Sequence, residues 1–108
     1  MAINIQEILK QLKTGIGDLA KSTLKNYSEQ AIKDAETLLS NMEADLKTWT
    51  AQLERGDLST ADFKDLVLGQ KDLIKMVSLK QAGLAQIQID QFKKGVLDLV
   101  VNTLSALV

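Results

Sequence analysis

Three observations predict an all-α fold. Proline is absent, and helix formers such as Leu, Ala, Lys and Gln make up much of the chain. Apolar residues recur every three or four positions over long stretches, which is the helical period. The one stretch that alternates, Leu84 to Phe92, has no flanking turn signal and no second strand to pair with, so helix is expected there too. A length of 108 residues fits one domain. The expected architecture is a long antiparallel helical hairpin with a short N-terminal helix, completed into a helical bundle by dimerisation.

The first helix is predicted over residues 3–14, with Ile5, Ile8, Leu9, Leu12 and Ile16 on one face. It is expected to stop at Thr14-Gly15-Ile16-Gly17-Asp18. Two glycines inside a helix cost roughly 1 kcal/mol each relative to alanine, and Asp18 suits a helix start. A second helix is predicted over 18–55. Its stripe is Ala20, Leu24, Tyr27, Ala31, Ala35, Leu38, Met42, Leu46, Trp49 and Leu53, opposite Lys21, Lys25, Glu36, Asn41, Asp45, Thr48 and Gln52.

Residues 56–59 are the clearest turn. Gly56 can take the left-handed conformation that ends a helix, and Ser59 with Asp62 forms an N-capping pair. The order of Gly56, Leu58, Ser59, Asp62 and Phe63 resembles the helix–turn–helix piece of short bacterial C-terminal modules. That resemblance implies a turn and no activity. Small secreted helical hairpins hold Trp-x-Gly at their turn, but here the triplet is Trp49-Thr50-Ala51. Trp49 is therefore expected in the core near the tip.

The third helix is predicted over 60–106, with Gly69, Gly83 and Gly95 as bends or close contacts inside it. Phe63, Leu66, Val67, Ile74, Val77, Leu84, Phe92, Val96 and Leu99 share one face. Leu68, Met76, Leu79, Ile87, Leu97, Val101 and Leu104 lie largely opposite. A helix apolar on both sides needs two neighbours. The first helix is too short to cover one about 70 Å long at ~1.5 Å per residue. The seven opposite residues are therefore the expected interface of a homodimer, with a different protein as a possible partner.

The end, GVLDLVVNTLSALV, is apolar but too short for a span of about 20 residues, and Asp98, Asn102 and Ser105 interrupt it. Burial against protein is expected. The alternative is a membrane-surface protein using residues 1–16 and 93–108. Such helices favour Lys and Arg on the polar face, and only Lys93 and Lys94 are near.

Charge is uneven along the chain. Residues 1–33 and 73–108 each carry net +2, and residues 34–72 carry net −5. Folding at Gly56 makes an acidic tip and a basic open end, which would favour head-to-tail pairing of two copies. The whole chain is at −1, and its lysines are not interleaved with aromatics, so nucleic-acid binding is not expected.

Neither Cys nor His occurs, which removes thiolate chemistry and the commonest general base and metal ligand. Glu29, Glu36 and Glu43 lie seven apart, as metal ligands in a bundle can. The di-metal pattern also needs His, so Glu29–Lys33 and Glu43–Lys47 are read as surface pairs. Asp62, Asp65 and Asp72 suit capping and the helix dipole. Gly15-Ile16-Gly17 follows a helix rather than a strand, so it is not read as a phosphate loop. No catalytic, cofactor or metal residue is expected. MAINIQEILKQLK lacks a basic segment followed by an apolar run, so a cytoplasmic protein is expected.

Overall fold

The computed structural model describes residues 4–71 and 74–106. The expected start at Ile3, the role of Asp72 and the apolar Leu107 and Val108 lie outside them. The described residues form α-helices without strands: α1 (Ile5–Thr23), α2 (Ser28–Arg55), α3 (Thr60–Leu68), α4 (Val77–Gln81) and α5 (Gln86–Ser105), with a 3-10 turn at Lys25–Tyr27. The alternating stretch is helical from Gln86 on, while Leu84 and Ala85 lie before α5, after the left-handed turn at Gly83. Ile89 is buried in the core while Ile87 faces solvent.

The helix boundaries differ from those expected at two places. α1 does not stop at residue 14 but continues through Gly15 and Gly17 to Thr23. Its start is fixed by Asn4, whose side chain accepts the backbone N–H of Gln6 and Glu7 at 3.0 and 3.4 Å. The break falls at Leu24 instead, whose backbone leaves the helical region at φ −131°, ψ 54°. The expected long third helix is three helices. Gly69 ends α3, and Gly83 follows α4 with φ +88°.

The two left-handed glycines build the same stop. At the end of α2, Gly56 N–H donates to the Leu53 carbonyl and Asp57 N–H to the Gln52 carbonyl, at 3.2 and 2.9 Å. At the end of α4, Gly83 N–H donates to Lys80 and Leu84 N–H to Leu79, at 3.1 and 3.2 Å. Each is a Schellman closure, which satisfies carbonyls left over at a helix end. Beyond the first, Ser59 accepts the Asp62 N–H at 3.0 Å and starts α3 as expected.

α1 lies between α2 and α5 and packs on both. The Gln6 side chain donates to Glu43 Oε1 across α1 and α2 at 3.3 Å, so these two helices run antiparallel about the Leu24–Tyr27 joint. Beyond Gly56 the chain returns beside α2 in pieces. Phe63 meets Trp49 edge to face at 6.2 Å, and α4 meets Asp34 further down. α5 then crosses to α1 rather than continuing along α2. At that contact a β-carbon on Gly15 would stand 3.0 Å from Leu99 Cδ2. The glycines expected to break the first helix instead sit within a helix that one neighbour approaches closely.

The core joins Ile8, Leu12, Ile16 and Ala20 of α1 to Leu38, Met42 and Leu46 of α2 and Val96, Leu97 and Val100 of α5, all fully or nearly buried. The longest dimension is 43 Å, about the length of α2 alone at ~1.5 Å per residue. The expected 70 Å rod is therefore folded back on itself.

Candidate interaction surface and lysine cleft

The seven residues expected to meet a second copy are divided by the fold. Met76, Leu79, Leu97, Val101 and Leu104 are buried within the single chain. Leu68 is half-buried against the core. Ile87, in the first turn of α5, is 69% exposed and is the most open large apolar side chain among the described residues. The expected second face came from treating residues 60–106 as one straight helix. The breaks at Gly69 and Gly83 re-aim the pieces, and α1, longer than expected, covers α5. Val77 on α4 is 50% exposed, and Leu66 on α3 is also open.

The apolar residues of the two chain ends are likewise in use. Ile8, Leu9, Leu12 and Ile16 from one end, and Val96, Leu97, Val100, Val101 and Leu104 from the other, form part of the core. Among the described residues no helix is long and apolar enough to cross a membrane.

Two charged side chains sit on buried faces: Asp34, which sequence reasoning passed over, and Lys93, expected on an open polar face. Asp34 is 6% exposed. Its Oδ1 accepts the Ser78 N–H at 2.9 Å and its Oδ2 the Leu79 N–H at 2.8 Å. No side chain of α4's own end caps it, so a carboxylate from α2 serves in place of a local cap. Its position between Ala31, Ala35 and Leu38 on the apolar stripe was the available signal.

Lys93 is 9% exposed. It lies one turn from both Ile89 and Leu97, which are buried. Its Nζ donates to the Lys71 carbonyl at 3.2 Å. The Lys93 side chain also lines a cleft of about 530 Å³ between α4 and α5, together with Lys75 and Lys80, with Met76, Val77 and Ile89 as apolar walls and Gln81 and Gln86 beside them. No carboxylate is among the described residues that line it.

Glu29 and Glu36 are exposed on α2, and Glu43 is engaged by Gln6. Among the described residues no group of three or more acidic side chains is placed to hold a metal ion. Comparison with known proteins finds no family model, no curated protein and no solved structure that matches this chain.

Proposed function

We propose that this protein is a non-catalytic helical interaction module that pairs with a second copy of itself through α4 and the first turn of α5. The observation that carries this reading is Ile87. It was expected at an interface on sequence grounds, and it is the one member of that set left largely open to water. Val77, on the preceding helix, is half open. An exposed apolar pair beside a turn suits an isologous contact, in which each copy offers the same patch.

Light scattering on wild type and Ile87→Lys tests the proposal. Wild type is expected to exceed monomer mass at high micromolar concentration. Ile87→Lys is expected to be monomeric and folded, with the melting temperature of dilute wild type, because the position supports no core and only the association contribution is lost. A monomeric wild type overturns the reading. By contrast, Leu97→Lys or Leu104→Lys should unfold the chain rather than dissociate it, since both side chains are buried within one copy.

A further inference from the structure

We propose that the cleft between α4 and α5 binds a small amphiphilic anion, its head held by the ammonium groups of Lys75, Lys80 and Lys93 and its aliphatic chain laid on Met76, Val77 and Ile89. This goes beyond the pairing proposed above and uses a different set of side chains, apart from Val77.

Three independent observations converge on that ligand. The cleft, at about 530 Å³, falls within the roughly 300–1,000 Å³ typical of small-molecule sites. Its charged lining among the described residues is of one sign, three lysines, which favours an anion over a cation. Its open apolar surface is Val77, half exposed, with the nearly buried Met76 and Ile89 as a fixed floor behind it.

Lys93 strengthens the case. Taking an ammonium out of water is expensive unless opposite charge or full hydrogen bonding replaces the lost hydration. Lys93 is 9% exposed, and its described partner is a single neutral carbonyl. An ammonium has three donors, and the described contact uses one of them. A bound carboxylate or phosphate would supply countercharge where water is least able to. The apolar walls explain why a bare inorganic ion would not fill the site.

The probes are decanoate below its micelle threshold, decanol, decyltrimethylammonium and phosphatidylglycerol vesicles. Binding is followed by NMR shifts at Ile89 and Lys93 and by calorimetry. Saturable decanoate binding is expected, with neither neutral nor cationic analogue binding comparably. Lys93→Met is expected to weaken decanoate by about tenfold, the loss of one charge-assisted contact. Lys75→Gln with Lys80→Gln, both at exposed positions, should weaken it without disturbing the fold, which keeps the test valid if Lys93→Met fails to fold. The proposal is overturned if decanol binds as well as decanoate or if decanoate binding is unchanged in the lysine variants. It is overturned equally if the protein binds anionic vesicles but no dispersed decanoate. Because the pairing patch shares Val77 and α4 with the cleft, decanoate is titrated into both wild type and Ile87→Lys: binding to Ile87→Lys beside a monomeric wild type overturns the pairing alone, and no binding to Ile87→Lys overturns this proposal.

Discussion

Leu19 of α1 packs over Gly95 of α5 so closely that a β-carbon on the glycine would stand 3.1 Å from Leu19 Cδ2. With Gly15 facing Leu99, each helix offers a glycine to the other's leucine. The two Gly-x-x-x-Leu segments run in opposite directions, so the contact has a local two-fold relation. Gly17, one turn face away, has nothing within 4 Å of where its β-carbon would be.

These glycines should therefore respond differently to alanine. Gly17→Ala should stabilise by about 0.5–1 kcal/mol, the gain in helix propensity. Gly95→Ala gains the same propensity but must displace a leucine methyl, so its net effect should be smaller or negative. Gly95→Leu should destabilise by at least about 1–3 kcal/mol through overpacking. Urea unfolding of the three variants checks this. Equal gains at Gly17 and Gly95 would show that the helices are not close.

Asp34→Ala should destabilise by about 2–3 kcal/mol, because it leaves two backbone donors at the start of α4 without their charged acceptor. Asp34→Asn keeps one acceptor oxygen and should lose less. Amide hydrogen exchange localises the effect. Ser78 and Leu79 should lose protection first, and unchanged exchange there would refute the capping role.

Thr50 is 3% exposed, and its hydroxyl has no hydrogen-bond partner among the described residues. Thr50→Val keeps the shape, removes the unpaired group and should stabilise by about 1 kcal/mol. A lower melting temperature for this variant would mean that the hydroxyl is satisfied after all.

The two left-handed stops give a matched test. Gly56→Ala and Gly83→Ala should each cost about 1–2 kcal/mol, since L-residues resist positive φ. Ser59→Ala should cost about 1 kcal/mol through loss of the α3 cap. Thermal melts on the three variants measure the terms directly.

Those turns also show what a sequence makes legible. Gly56 is followed by Ser59 and Asp62, so stop and start signals adjoin and the turn can be read locally. Gly83 makes the same hydrogen bonds, but Ala85 begins α5 without a side-chain cap, and the second half of the signal is missing. The break at Leu24 has no glycine or proline to mark it. Gly15 and Gly17 misled in the opposite direction, because their low propensity was outweighed by packing between α2 and α5. The stripe from Ala31 to Leu53 was readable from periodicity, whereas Ala20, Leu24 and Tyr27, expected on the same helix, fall on α1 and the joint, and Trp49 is only partly buried. The lysine cleft was not readable, since Lys75, Lys80 and Lys93 converge only after α4 and α5 fold about Gly83.

The central place of α1 means that the earliest of these five helices to be made is the last to be enclosed. α2 follows it directly and can cover one flank while synthesis continues. The other flank waits for α5, the last of the five, and joining Gly15 to Leu99 closes a loop across all the helices between them. Such distant closures slow folding. A nascent or prematurely ended chain that stops before Gly95 would display Leu19 and its neighbours to the surrounding solution, the condition in which chaperones bind and chains stick to one another.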